Sequence, residues 1–411
     1  MNMRIVSLLA PLRSGVYQFH CNLVRGLAPR GCSVTWLCSG SFHAHQVAVG
    51  ADGTEHSDGE VVASDSDKLA TRTKALVERI VELSPDVLIC HARGDPTDFN
   101  AIRYMPRSIP KVLVLHGTTL SVYRSARVVR DYMSTTVAIS PRIEQDLLSS
   151  YGFHTDKLRL IPHGVDVESF FNHSLREKHS GPLKILSHGR IDRNKGVFWL
   201  PEILGELDKH AKDWRCTVSG DGPDLTELRR RVTESGLSDR IEFTGWTPSQ
   251  NVPLLMHRHD VFLCPTAYEG FLIALIEAMA GGCAPVVSRL PGITDWIVQD
   301  GENGLLFSIG NVRQAAQHLL SLLSDLPRLD AIRQRAQEGV SKYSLDATTE
   351  QYHQLFCDIQ ANPRQVRAPE SLDNCELAAG LKPAWWYRLP DPIKNYLRVL
   401  REKIHTSIRV P

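Results

Sequence analysis

No Cys-x-x-Cys pair occurs in the 411 residues, and the nine cysteines stand singly between Cys21 and Cys375. An odd, dispersed set of thiols in so long a chain argues against a disulfide scaffold or a zinc ribbon and suits a reducing compartment. Long apolar runs are also missing: none approaches the ~20 residues that a membrane-crossing helix needs. The opening MNMRIVSLLAPLRSG has one early Arg but no small-residue cleavage site, so it reads as a first buried strand rather than a signal peptide. Neither sign of charge dominates. Lys and Arg total 47 against 46 Asp and Glu, a formal charge of +1, which excludes a globally basic nucleic-acid-binding chain. A cytoplasmic α/β protein with no nucleic-acid partner is the expectation.

What is present is alternation. Short apolar runs at Arg4–Leu9, Ser33–Leu37, Asp86–Cys90, Lys111–Leu115 and Thr136–Ile139 are separated by helical patterns at Val16–Leu27, Lys68–Leu83 and Arg142–Ser149. The polar stretch Gly50–Ser66 reads as a surface excursion. After a polar linker, Asn172–Pro182, a second series begins, with strands at Leu183–Ser187, Arg215–Ser219, Ile241–Thr244, Val261–Cys264 and Ala284–Ser288. Its helical patterns fall at Phe198–His210, Leu225–Ser235, Ile273–Ala280 and Val312–Leu323. The length predicts ~2–3 domains, and strands alternating with helices predict parallel sheets covered on both faces. The expectation is two doubly wound domains in tandem facing across a cleft, with functional residues just after the strands.

Two segments carry unusual polar residues in such places. In AYEGFLIALIEAMAGG, Ala267–Gly282, Glu269 and Gly270 follow a strand and precede a helix, and Glu277 lies inside that helix among apolar neighbours. A carboxylate there is costly unless it is hydrogen-bonded or edges a cavity. Gly270 lets backbone approach a ligand, and the helix N-terminus offers N–H groups suited to phosphate. Taken alone, the two carboxylates also fit a helix-N-terminal Glu and a solvent-facing Glu. In SHGRIDRNKG, Ser187–Gly196, Arg190 and Lys195 occupy a loop after a strand. An Arg fork and a Lys point charge suit a diphosphate, although alone the pair fits a solvated charged loop.

These segments, in this order, resemble glycosyltransferase family 4, retaining enzymes of the GT-B fold. VAISPRIEQDL at Val137–Leu147, LIPHGVD at Leu160–Asp166, VSGDGP at Val218–Pro223, RIEFTGW at Arg240–Trp246 and DGENGLLF at Asp300–Phe307 resemble the same family's landmarks. The match runs from Met1 to about Ile359. The resemblance implies an N-terminal Rossmann-like acceptor-side domain over residues 1–172 and a nucleotide-sugar-binding domain over 183–340. A helix over 341–359 would cross back to the first domain, leaving a basic, aromatic tail over 360–411.

By the same resemblance, Arg190 and Lys195 hold the donor diphosphate. Glu269 meets the sugar hydroxyls and Glu277 the ribose hydroxyls, and backbone amides at Gly270, Phe271 and Leu272 meet the sugar or phosphates. Gly15 matches a glycine loop near the phosphates, and His116, after strand Lys111–Leu115, resembles a His lining the sugar pocket. The co-substrate would be a nucleoside-diphosphate sugar, with no metal and no cofactor, and the acceptor a saccharide or lipid-linked hydroxyl in cell-surface polysaccharide or glycolipid assembly. Alternatives are a small-metabolite acceptor and a catalytically silent sugar-nucleotide-binding partner. Three positions depart from the family pattern: Ser14 precedes Gly15 where a second Gly is common, His163 stands where Asn is usual, and Leu272 stands where Gly is frequent.

Other features are weaker. Asp65-Ser66-Asp67 is a DxD string in which Asp67 reads as an N-cap. His43-Ala44-His45 and His257-Arg258-His259-Asp260 lack metal-ligand spacing. Gly220-Asp221-Gly222 lacks the third glycine of a dinucleotide fingerprint. The basic residues of Arg103–Arg130 read as solvated surface in preference to a face for an anionic acceptor. The tail Leu377–Pro411 carries seven basic residues against two acidic ones, with Trp385, Trp386 and Tyr387 before an amphipathic pattern. That combination suits an anionic membrane surface, and equally a helix packed on the protein.

Overall fold

The structure is a computed structural model, which describes residues 2–12, 14–40, 58–64, 67–92, 96–171, 181–382 and 389–409. His43, His45, Asp65, Ser66, Trp385, Trp386, Tyr387 and residues 172–180 of the expected linker therefore lie outside the described residues. Two compact units are present: Met1–Gly164 with Leu345–Arg388, and Val165–Ser344 with Leu389–Pro411.

The first unit is built on strands β1 (Met3–Leu8), β2 (Cys32–Cys38), β3 (Gly59–Val61), β4 (Val87–His91), β5 (Lys111–Leu115), β6 (Thr135–Ala138) and β7 (Leu158–Leu160). They form one sheet in the order β3-β2-β1-β4-β5-β6-β7, every neighbouring pair parallel. All five residues of β4 and of β5 are buried, as a sheet covered on both faces demands, which is why these strands read as unbroken apolar runs. The polar excursion is corrected in part: Gly59–Val61 is an edge strand. Gly59 is needed there because the Trp36 ring lies 2.2 Å from where its Cβ would stand.

The second unit has β8 (Leu183–His188), β9 (Trp214–Ser219), β10 (Ile241–Gly245), β11 (Val261–Cys264), β12 (Ala284–Ser288) and β13 (Leu305–Phe307), in the order β10-β9-β8-β11-β12-β13. Both sheets thus share the doubly wound order, with the reversal beside the first strand. The core of this unit joins Trp214, Ile185, Leu263 and Val286 to Leu204, Leu228, Leu319 and Ile332 from the covering helices. The resemblance's GT-B fold is what the chain adopts: two parallel Rossmann-like sheets.

Helix Leu345–Ala361 belongs to the first unit and packs on helix Gly15–Leu27. A Cβ on Gly26 would lie 2.4 Å from Thr349, so the two helices meet at a glycine. Arg30 ties the junction by pairing with Asp346 at 2.7 Å and Glu350 at 3.0 Å. The tail is not one segment. Its first part follows the first unit, where Arg103 bonds Glu370 and the Glu376 carbonyl, while helix Asp391–Arg409 belongs to the second. Arg103 is therefore neither solvated nor open to an acceptor, and Arg130 is engaged by Asp131 and the carbonyls of Tyr151 and Gly152. Asp67 is not an N-cap: Lys68 holds that position, and Asp67 instead accepts from the Ser64 N–H at 2.9 Å. Among the described residues no helix is long and apolar enough to cross a membrane.

Candidate active site

β8 and β11 are neighbours at the point where the strand order of the second unit reverses, the place where such sheets open a crevice beyond their carboxyl ends. The loop after β8 makes a short turn, Arg193–Lys195, capped by the Asp192 carboxylate on the Asn194 N–H at 2.9 Å. Gly196 ends it at φ +65°, and a Cβ there would stand 1.8 Å from the Pro265 carbonyl oxygen. Only glycine permits both the left-handed backbone and that approach. The result is that Lys195, from the β8 loop, reaches Glu269, from the β11 loop. Its Nζ lies 2.6 Å from both carboxylate oxygens.

Glu269 is buried, its side chain 6% exposed, and also accepts from the Thr266 hydroxyl at 3.1 Å. Burial alone would lower the Lys195 pKa, but the charge and hydrogen bonds of Glu269 outweigh it and hold the ammonium above its ordinary value. Arg190 behaves differently. Its side chain is 66% exposed and only reaches Asp192 at 3.6 Å. Arg193, in the same loop, is spent on the buried Asp224, with contacts at 2.5 and 3.0 Å. The loop also packs on the one after β9: Gly220 and Gly222 lie so close to the carbonyls of Gly189 and Ile191 that a Cβ would approach within 1.8 and 2.2 Å. That is the use of the Gly-Asp-Gly string here, backbone packed on backbone.

Helix Ile273–Ala280 begins just past Glu269, with Leu272 at its cap position and no side-chain cap. Phe271 and Leu272 turn their side chains inward, Phe271 against Trp296 and Tyr343. Gly270, Phe271 and Leu272 would therefore meet an anion through backbone amides, at a helix N-terminus that favours one. Glu277 is half-buried; its backbone carbonyl accepts from the Gly281 N–H, but its carboxylate accepts no hydrogen bond from any described residue. Burial pushes its carboxyl up to about 7. A carboxylate in that state is poised to accept from a ligand's hydroxyls.

The first unit has its own polar cluster at the carboxyl ends of β4 and β5. Ser7 Oγ lies 2.8 Å from His91 Nε2, His91 Nδ1 2.8 Å from His116 Nε2, and His116 Nδ1 2.9 Å from His163 Nε2. The Phe19 ring packs against His163, His116 and His91, with centroids 4.8, 5.1 and 5.8 Å away. Burial, with smaller contributions from the charges of His20 and His163, pushes His91 down to about 3, and burial alone does the same to His163. Both are neutral near pH 7. Since a neutral imidazole gives one hydrogen bond and accepts one, the chain runs in a single direction and the His116 tautomer is linked to those of His91 and His163.

Two departures from the family pattern acquire uses here. His163 supplies the partner of His116, and Ser14 caps helix Gly15–Leu27 by accepting from the Tyr17 N–H at 3.3 Å. A Cβ on Gly15 or Gly117 would meet nothing within 4 Å, so both face open space. Sequence reasoning missed Ser7, His91 and the pairing role of His163. The available signal was a His closing β4 beside one following β5, adjacent strands of a parallel sheet. His259, by contrast, is spent on the Leu255 carbonyl and Thr217, and Asp260 on the Lys184 N–H. Among the described residues no group of three or more His, Cys, Asp or Glu is arranged around a metal position.

Two family models meet end to end on this chain. The one described as Glycosyltransferase Family 4 matches residues 13–169, and the one described as Glycosyl transferases group 1 matches residues 170–339. The chain is a group 1 glycosyltransferase. Among its relatives is the GDP-mannose:cellobiosyl-diphosphopolyprenol alpha-mannosyltransferase of Xanthomonas campestris, 25% identical over 297 residues, 69% of this chain and 77% of that protein. A sulfoquinovosyl transferase of Arabidopsis thaliana is 31% identical over 299 residues, covering 67% of this chain and 57% of its own length. This glycosyltransferase also shares its fold with a Rickettsia africae glycosyltransferase, with a TM-score of 0.72 and 17% identity over 88% of this chain and 100% of that one. Anabaena HepE, solved with UDP and glucose, gives a TM-score of 0.69 and 19% identity over 87% and 100%.

Proposed function

We propose that this glycosyltransferase moves a sugar, with retention and without a metal, from a nucleoside-diphosphate donor to a lipid-linked saccharide at the cytoplasmic membrane face. The observation that carries the reading is the Lys195–Glu269 pair beside the exposed Arg190, at the strand-order reversal. Departure of the sugar builds negative charge on phosphate oxygens and positive charge on the anomeric carbon. Arg190, Lys195 and the free N–H groups of helix Ile273–Ala280 offset the first charge. They supply the electrostatics that Mg²⁺ gives other transferases. Glu269 would hold the sugar hydroxyls and Glu277 the ribose hydroxyls. Retention places the acceptor on the face the diphosphate leaves, where a phosphate oxygen takes its proton. The names of the relatives, with GDP-mannose as donor and a diphosphopolyprenol saccharide as acceptor in one of them, support the substrate class.

The test is thermal shift and hydrolysis over UDP-, GDP-, ADP- and TDP-sugars with EDTA present, comparing wild type with Glu269→Ala. One donor should stabilise the protein and be slowly hydrolysed by wild type only. Loss of turnover on adding EDTA would overturn metal independence. Stabilisation by no donor would overturn the site.

A further inference from the structure

Helix Asp391–Arg409 presents apolar side chains on two faces, and among the described residues only one of them is packed on the protein. On that face Val399 packs against Ala267, Leu290, Ile293 and Ile309, and Glu402 is buried. Arg398 bonds the Tyr268 hydroxyl at 3.3 Å and lies over its ring. Tyr268 is the residue before Glu269. On the other face Ile393, Tyr396, Leu397, Leu400 and Ile404 are exposed, by 39–67%. These positions recur at i, i+3, i+4, i+7 and i+11, one continuous stripe at 3.6 residues per turn, roughly opposite Val399 and Glu402. Lys394 and Arg401 run along one edge of the stripe and Lys403 along the other. Five of the twelve large apolar side chains exposed among the described residues lie on this helix; elsewhere they are scattered, as on any soluble surface.

We propose that helix Asp391–Arg409 lies flat on an anionic phospholipid surface through this stripe while its opposite face holds the Glu269 loop. The inference deepens the membrane-face part of the proposed function and rests on it for its purpose, not for its geometry. An apolar stripe bordered by cations, with a tyrosine at its margin, matches the boundary between acyl chains and anionic headgroups. The long basic side chains can keep their stems along the apolar surface and their charges among phosphates. The helix is about 10 Å across, so docking brings the Glu269 loop to that distance from the lipid, where a lipid-linked acceptor presents its sugar.

The experiment is flotation of the full chain with vesicles of phosphatidylcholine alone or mixed with phosphatidylglycerol. Wild type, Leu397→Asp/Leu400→Asp and Lys394→Glu/Arg401→Glu are compared, and donor-induced thermal shift serves as the check of fold and site. Wild type should float with the mixed vesicles about tenfold more than with the neutral ones. Both double variants should lose that binding and keep the donor shift. Wild type that floats with neither vesicle overturns the proposal, as does a stripe variant that floats like wild type. A wild-type dimer that Leu397→Asp/Leu400→Asp converts to monomer, without vesicle binding, assigns the stripe to a second copy and also overturns it. Flotation does not depend on a donor, so a failed donor panel and a failed membrane test are separate results.

Discussion

Lys195 and Glu269 stand 74 residues apart in sequence and meet at 2.6 Å, each supplied by a different strand end. The pair is unequal. Glu269 is 6% exposed and Lys195 36%, so deleting one partner does not mirror deleting the other. Lys195→Ala strips a buried carboxylate of its counter-charge, whereas Glu269→Ala releases an ammonium that can turn to water. Lys195→Ala should cost ~2–3 kcal/mol, below the ~3–5 of a fully buried pair because the lysine is partly screened. Glu269→Ala should cost less than half of that, with turnover down ~10²–10³-fold. Urea unfolding beside a transfer assay checks the order. Equal destabilisation by the two variants would mean the pair is not what holds the loops.

Glu277 should make both stability and donor affinity depend on pH. With its carboxyl near 7 in the folded protein and near 4.3 in the unfolded chain, the folded state binds more protons between those values. Its contribution to stability therefore falls as pH rises from about 4.3 to about 7. A ribose diol needs the ionised form, so donor affinity should rise instead, by about tenfold from pH 6 to pH 8. Calorimetric titration of wild type and Glu277→Gln separates the cases: the variant should be weaker and flat. A rise that persists in the variant belongs to another group.

Gly15 is expected near phosphate, whereas Gly196 brings Lys195 to Glu269, and the structure gives the two glycines opposite surroundings. Gly196→Ala forces a left-handed backbone and a clash with the Pro265 carbonyl, so it should cost more than ~2 kcal/mol and part Lys195 from Glu269. Gly15→Ala puts a methyl into open space at the first turn of a helix. It should leave stability unchanged or raise it by ~0.5 kcal/mol. If donor phosphate approaches there, the same variant weakens donor binding. A stable Gly15→Ala protein with wild-type donor affinity would remove Gly15 from the site.

Much of this was readable before the fold. Lys111–Leu115, Val261–Cys264, Ala284–Ser288 and Ile273–Ala280 end where the sequence reading ends them, because their largely apolar runs are closed by His116, Pro265, Arg289 and the Gly281-Gly282 pair. Gly59–Val61 was not readable: three residues paired only along one edge leave no period to detect. Helices Leu120–Val129 and Leu326–Glu338 were missed because charged residues interrupt their apolar stripes. The resemblance named Lys195 and Glu269 separately, but their contact depends on a backbone approach at Gly196 that no local pattern reports. His91 escaped because a His at a strand end has no spacing rule; only the pairing of β4 with β5 brings it to His116.

The histidine chain predicts a loss of stability in acid. His163 stays neutral in the folded protein down to about 3, while in the unfolded chain it takes up a proton near 6.5. Between those values the unfolded state binds more protons, so stability falls as pH falls, by ~1.4 kcal/mol per pH unit for each such residue. His163→Asn keeps a hydrogen-bonding side chain beside His116 and removes one titrating group. The slope of unfolding free energy between pH 5 and pH 6 should drop by that amount. An unchanged slope would show that His163 is protonated in the native protein, and the single-direction chain would fail with it.

Arg190 and Arg193 give the sharpest contrast between a ligand-facing charge and a structural one. They share a loop and a charge, and differ in what they already touch. Arg193 is pinned to Asp224, whose carboxylate is almost fully buried and also accepts from the Arg193 N–H at 2.8 Å. Truncating Arg193 should therefore cost ~1–2 kcal/mol, moderated by its 44% exposure, and reduce activity only through loop disorder. Arg190 has no comparable anchor, so Arg190→Ala should leave unfolding within ~0.5 kcal/mol of wild type. If it stabilises the departing diphosphate, kcat should fall ~10²-fold. Arg190→Lys should recover only part of the loss, because an ammonium cannot reproduce the two-pronged contact of a guanidinium. Full activity in Arg190→Ala with a crippled Arg193→Ala would reverse the assignment, making the anchored arginine the one that matters and the exposed one a solvated charge.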